Sequence, residues 1–150
     1  GQHWNAMDNK YYHNRIDYDR LPAPVIPAIL SSFAKEISDN LYPNCSAPFD
    51  ICIMNVYVPG TRLGMHRDNA ETIKSISAGY PVISLSLGLS AIFHYRIGNI
   101  THELQLDHGD IFCFGGKNRL IYHGIKNILT EVKSPDNIPN IRINLTFRTN

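Results

Sequence analysis

Hydrophobic and polar positions divide this 150-residue chain into two unequal parts. From Phe49 onward the pattern is that of short strands, with apolar residues at every second position or in brief runs. The last segment is the clearest. Ile141, Ile143, Leu145 and Phe147 fall on one face, and Arg142, Asn144, Thr146 and Arg148 on the other. Upstream, FDICIMNVYV is apolar on both faces and predicts a strand covered from both sides. PVISLSLG, SAIFHYRI, HGDIFCFGG and RLIYHGI each predict a strand. PGTRLG predicts a turn, and RIGNITHELQL a hairpin reversing at Gly98-Asn99. LTEVKSPDNIPN is a polar, proline-containing loop before the last strand. About eight short strands suit a sandwich, a barrel or a double-sheet jelly roll.

The front of the chain differs. Residues 1–25 are polar and rich in Tyr, His, Asn and Arg, which predicts irregular structure with short turns. In PVIPAILSSFAKEISDN, residues Ile26, Ile29, Leu30, Phe33, Ala34 and Ile37 stand at helical spacing, and Pro27 suits the first turn. YPNCSAP then predicts a loop. The expected fold class is therefore mainly β with N-terminal α elements.

Composition narrows the function. The length suits one domain with a real core. A net charge of +1 excludes a broad basic face, so any contact with nucleic acid has to come from local residues. Cys45, Cys52 and Cys113 contain no CxxC pair and read as reduced thiols of a cytosolic protein. The longest apolar stretch, Pro81 to Phe93, is broken by serines and too short to span a bilayer, so no membrane contact is expected.

The candidate chemistry lies in two places. GMHRDNAE places His66 and Asp68 one residue apart, on the same side of an extended segment. RLIYHG supplies His123 from a later strand. Two histidines and a carboxylate suit the facial triad of non-heme Fe(II) oxygenases, and a catalytic zinc site is the rival. The second place is the polar face of the last strand. Arg142 and Arg148 flank Asn144, and that face carries no lysine and no carboxylate. It is either a solvated edge or a pocket for a carboxylate ligand, which arginine binds bidentately. Six residues span roughly 20 Å of extended strand, so both arginines reach one small dianion only if the strand curves or the side chains converge. Asn55 and Tyr57 share a face and can add hydrogen bonds.

NVYVPGTRLGMHRDNAE, PVISLSLGLSAIFHY, DHGDIFCFGGKNRLIYHGI and RINLTFR together resemble the AlkB family of Fe(II)- and 2-oxoglutarate-dependent nucleic-acid demethylases. The resemblance covers Asn55 to Arg148 in order. It implies a double-stranded β-helix, or jelly roll, over 49–150, with a nucleotide-recognition lid and supporting helix over 1–48. It implies iron held by His66, Asp68 and His123. It implies 2-oxoglutarate held by Asn55, Tyr57, Arg142, Asn144 and Arg148, with Arg142 on the distal carboxylate and Arg148 nearer the metal. O2 is the co-reactant. At the front, Trp4 and Tyr11 sit at the spacing of the family's base-stacking tryptophan and phosphate-contacting tyrosine, with Tyr12 and His13 beside them. Arg62, Arg67 and Asn69 flank the metal motif as candidate phosphate contacts.

The implied activity is oxidative demethylation of N1-methyladenine- and N3-methylcytosine-type bases in single-stranded DNA or RNA. The protein would be a monomer in the cytoplasm or at a nucleoid. Three features depart from the family. Ala70 stands where some members place an acid two residues after the metal aspartate, and Glu71 is adjacent. The hairpin around Ile97–His102 is short, leaving Arg96 as a loose candidate for a substrate contact. Phe114 replaces a larger aromatic. Two other readings stay open: an Fe(II)/2-oxoglutarate enzyme acting on a protein or small molecule, and a non-catalytic sensor on the same fold.

Overall fold

The segments after Phe49 form two antiparallel sheets of four strands each. They are seen in a computed structural model that describes residues 1–131, 134–135 and 137–150. In chain order the elements are β1 (His3–Asn5), β2 (Lys10–Tyr12), α1 (Ala28–Leu41), β3 (Ile51–Tyr57), β4 (Leu63–His66), α2 (Ile73–Ser77), β5 (Val82–Gly88), β6 (Ala91–Ile97), β7 (Ile100–Leu106), β8 (Ile111–Phe114), a short 3-10 turn (Gly116–Asn118), β9 (Tyr122–Ile128) and β10 (Arg142–Arg148). One sheet runs β3-β10-β5-β8 and the other β4-β9-β6-β7, while β1 and β2 pair as a separate ribbon. β6 and β7 reverse over the two residues Gly98-Asn99, with Gly98 at φ 58°. That positive φ is where glycine costs nothing and a β-carbon is strained.

Helix α1 starts directly after Pro27, whose carbonyl accepts from the Leu30 and Ser31 amides. It stops one residue before Tyr42, and Pro43 then bars continuation. Its apolar side packs on the outer face of the first sheet. Ala34, Phe33, Leu30 and Ile37 meet Ile83 of β5 and Phe147 and Leu145 of β10. Ile29 falls off this face and is exposed. A second apolar cluster lies between the sheets, built from Tyr57, Leu89, Phe93, Leu106, Ile125 and neighbours.

Three expectations need correction. β3 is an edge strand, not one covered on both faces: Met54 is 64% exposed and Val56 53%. Helix α1 covers the Phe147 end of the sheet, where Cys52 lies, and leaves the Met54 end bare. The segment read as a turn before the metal motif contains strand β4. Residues 1–25 hold a ribbon in which His3, Trp4 and Asn5 pair with Tyr12, Tyr11 and Lys10. Both short segments gain their regularity from a partner strand, which a local pattern does not reveal. Val132, Lys133 and Asp136 of the predicted loop lie outside the described residues. No described helix is long and apolar enough to cross a membrane.

Candidate active site

His66 closes β4 and His123 sits near the start of β9, and the two are direct cross-strand partners. Their ring centroids are 4.5 Å apart. The glycine after His123 makes this approach possible. A β-carbon on Gly124 would lie 2.5 Å from the Leu63 carbonyl oxygen and 2.9 Å from that of Gly64, both on β4. Each imidazole is oriented by a backbone carbonyl, His66 Nδ1 at 2.9 Å from Gly64 O and His123 Nδ1 at 3.1 Å from Ile121 O. A proton on each Nδ1 satisfies those carbonyls and leaves both Nε2 lone pairs for a metal.

The Nε2 atoms stand 3.5 Å and 3.6 Å from the Asp68 carboxylate oxygens. One ligand atom from each of the three residues falls within 4.8 Å of the others. Asp68 is buried, and its Oδ2 has no hydrogen-bond donor among the described residues. Burial pushes its carboxyl up, but the His66 bond and the Arg148 and His123 charges outweigh this and hold it at about 2. Burial lowers the pKa of His123, while the bond to Asp68 raises that of His66. A buried carboxylate oxygen without a donor, facing two imidazole nitrogens, is a donor set that fits a divalent metal.

The polar face of β10 points inward. Arg142, Asn144, Thr146 and Arg148 are all buried, more so than Ile143 and Leu145 on the apolar face. The edge-strand alternative is thereby excluded, since β10 lies between β3 and β5. Register aligns Arg142 with Tyr57 and Asn144 with Asn55 across β3. All four line one cavity together with the metal triad and Arg148.

Arg142 is 0% exposed. Its Nη2 donates to Ser86 Oγ at 3.0 Å, while Nε and Nη1 have no acceptor among the described residues. A desolvated guanidinium with two unanswered donors is strongly unfavourable alone and fits a ligand carboxylate. Asn144 is held differently. Its amide nitrogen donates to Ser84 Oγ at 2.7 Å and Leu85 O at 3.1 Å, and its oxygen accepts from Thr146 Oγ at 2.7 Å. The two arginines do not converge. Arg148 sits at the metal end, with Nη2 2.7 Å from Asp68 Oδ1, and Arg142 stands six residues away.

Two residues outside the predicted site complete the metal end. Arg119 donates to the Asp68 backbone carbonyl at 2.7 Å and pairs with Glu71 at 3.0 Å. Glu71 also faces Arg148 at 3.4 Å and accepts from the Tyr11 hydroxyl at 3.3 Å. The only local signal was an arginine in a strand-like RLI run, where a free charge would not be buried.

Of the four front residues, two reach the site. Trp4 lines an outer cavity of about 750 Å³ with His66, Arg67, Asp68, Asn69, Ala70, Tyr122 and Arg148. Tyr11 turns its hydroxyl onto Arg148 Nη1 at 2.6 Å, so that group is committed inward rather than presented to a phosphate. Burial is the main cause of its raised pKa. Tyr12 instead bonds Asp8 at 2.5 Å, and His13 lies in a separate cleft beside Gly1 and Phe49. Arg67 lies over the Tyr122 ring at 4.1 Å, and Arg96 approaches the same ring at 5.8 Å. Phe114 packs 4.9 Å from the His123 ring. Arg62 is exposed and outside both cavities.

A family model described as the 2OG-Fe(II) oxygenase superfamily matches residues 1–148. A solved structure of OsALKBH1 superposes with a TM-score of 0.87 at 31% identity, covering 100% of this chain and 75% of that one. The chain is an AlkB-family 2OG-Fe(II) oxygenase. Among curated AlkB relatives, the DNA N(6)-methyladenine demethylase ALKBH1D of Arabidopsis thaliana is 42% identical over 99% of this chain and 38% of its own length. The alpha-ketoglutarate-dependent dioxygenase AlkB of Escherichia coli is 33% identical over 97% of this chain and 66% of its own length. The chain thus spans less than two thirds of the curated relatives it matches. Membership of this family decides between the rival metals at the triad in favour of iron, with 2-oxoglutarate and O2 as co-reactants.

Proposed function

We propose that the chain oxidatively removes alkyl groups from the nitrogens of nucleic-acid bases. O2 and 2-oxoglutarate are consumed, succinate and CO2 are formed, and a methyl group leaves as formaldehyde. The observation that carries this is Arg142, fully buried with two free donors, in the same cavity as the His66–Asp68–His123 triad. Iron held there by these three residues supplies the activation of O2. The protein does the rest. Arg142, with Ser86 and Tyr57, anchors the far carboxylate of the diacid. Arg148 holds Asp68 and, in this reading, lies against the chelating end. Asn55 and Asn144 line the stretch between, where the Asn144 amide also fixes the row to β5. The inter-sheet apolar cluster, with Phe93 and Phe114 against His123, keeps water away.

Nucleic acid is favoured over protein or metabolite by the outer cavity and by the relatives. Trp4 offers a ring for stacking an extruded base, and Arg67 and Asn69 stand on the same rim. The plant relatives are named for N6-methyladenine, while the sequence resemblance points to N1-methyladenine and N3-methylcytosine. A single strand is the simpler substrate because extrusion from it costs less. Apart from the β6–β7 hairpin, consecutive strands pass between the two sheets in the order expected of a jelly roll, which supports that reading for 49–150. The β1–β2 ribbon beside the cavity supports a lid role within 1–48. Three free thiols suit a reducing compartment such as the cytoplasm, and the chain is taken as a monomer.

The test combines Fe(II), 2-oxoglutarate and methylated oligonucleotides, as DNA and as RNA. Succinate and formaldehyde should appear in step. Succinate without formaldehyde from any oligonucleotide would move the substrate to protein or metabolite. Neither product would leave a sensor.

A further inference from the structure

The two carboxylates at the metal end of the outer cavity, Asp68 on its wall and Glu71 behind it, are both paired with arginine. The charged groups on its wall are Arg67, Asp68 and Arg148, with His66 beside them. Asp68 is met by Arg148 at 2.7 Å. Glu71 does not line the cavity, because its side chain is fully buried between Arg119 at 3.0 Å and Arg148 at 3.4 Å. Position 70, two residues beyond Asp68, is alanine. What the wall adds instead is positive. Arg67, on that wall, lies 4.1 Å from the Tyr122 ring centroid; Arg96, which is not among the lining residues, approaches the same ring at 5.8 Å, and neither has a carboxylate partner among the described residues. A π-face is where a cationic base would be welcomed, and this one already holds a guanidinium. When a strand covers the cavity and expels water, repulsion between like charges there grows.

We propose that this site prefers an uncharged N-alkylated base over one with a fixed positive charge, and that Arg67, laid on Tyr122, sets the preference. The inference rests on the demethylase reading above and narrows its substrate. N6-methyladenine and N1-methyladenine make a matched pair: the same atoms and one methyl group, the first neutral and the second cationic at neutral pH. Discrimination arises as much from the charge set against the cation as from the fit of the neutral base.

The experiment uses single-stranded oligonucleotides of one sequence carrying one or other isomer. It reads kcat/KM for formaldehyde release by the iron-loaded protein, and equilibrium binding by the metal-free protein. The N6 isomer should lead by about tenfold or more in kcat/KM and bind more tightly. Arg67→Glu should narrow or invert both ratios, with Arg67→Gln between. Equal or faster processing of the N1 isomer would overturn the inference, and so would a preference that Arg67→Glu leaves unchanged. Formaldehyde from neither isomer would count against the demethylase reading, and the binding ratio then decides the charge preference by itself.

Discussion

Arg142→Met separates a residue kept for a ligand from one kept for the fold. In the protein alone this guanidinium is 0% exposed and, among the described residues, makes one hydrogen bond, to Ser86, and leaves two donors without acceptors. Burial accordingly lowers its pKa. Exchanging a buried, poorly compensated charge for an apolar side chain of similar length is neutral to stabilising, by up to about 4 kcal/mol. At roughly 2–4 °C per kcal/mol for a domain of this size, Tm without ligand should hold or rise by several degrees. The ligand-linked part moves the other way. Truncating one partner of a buried charge pair costs about 2–5 kcal/mol, a loss of about thirtyfold to several thousandfold in affinity. 2-Oxoglutarate at a hundredfold excess over its Kd stabilises the wild type by about 2.7 kcal/mol. At the same ligand concentration that shift should fall to about 0.9 kcal/mol or less in the variant. The assay is thermal unfolding by circular dichroism, with and without 2-oxoglutarate, in the presence of a redox-silent divalent metal. A variant that loses several degrees without ligand, yet keeps the ligand-induced shift, would refute the assignment.

Trp4→Ala should raise KM for a methylated oligonucleotide about 5- to 100-fold, the range of one base-stacking contact; an unchanged KM removes Trp4 from the substrate wall. Glu71→Ala strips a fully buried carboxylate from between Arg119 and Arg148 and should cost about 3–5 kcal/mol in urea unfolding. A Glu71→Met/Arg119→Met pair should regain part of that loss, because no lone charge remains at either position. Burial pushes the Cys113 thiol up to about 11 from 9.0. Its thiolate is present only as pH climbs toward that value, so iodoacetamide labelling at pH 8 should run about a hundredfold slower than for an exposed cysteine, read by mass spectrometry.

The sequence was most informative where one residue type cannot be replaced. HRD and YHG pointed to the His66–Asp68–His123 cluster, and R-x-N-x-x-x-R to the polar row of β10 that lines the same cavity, because metal ligation and carboxylate binding restrict the side chains that serve. It was least informative where charge is neutralised from afar. Along the chain Glu71 is only the neighbour of Ala70, and the approach of Arg119, 48 positions on, and Arg148 makes it part of the buried metal end. Tyr11 likewise stands at the spacing of a phosphate contact, and only the fold brings its hydroxyl to Arg148. At the front, the structure brings Trp4 and Tyr11 beside the metal end and turns Tyr12 toward Asp8 and His13 into another cleft. Alternation along β2 sends Tyr12 to the face opposite Tyr11, while His13 lies beyond the end of that strand, and the ribbon itself has no local signal.

By itself the sequence determined the local chemistry of this protein: period-2 strands, a helix begun at Pro27 and ended before Pro43, a turn at Gly98, and ligand types that suit iron and a diacid. Those are consequences of steric and polar preferences within a few residues. Which face of β10 goes inside was decided only in three dimensions. Alternation alone would bury Ile143 and Leu145 and wet the arginines, but α1 and the second sheet cover opposite faces of the same strand. That gives the apolar row a helix to pack on, and leaves the polar row lining a buried cavity, where the Arg142 donors have no acceptor among the described residues.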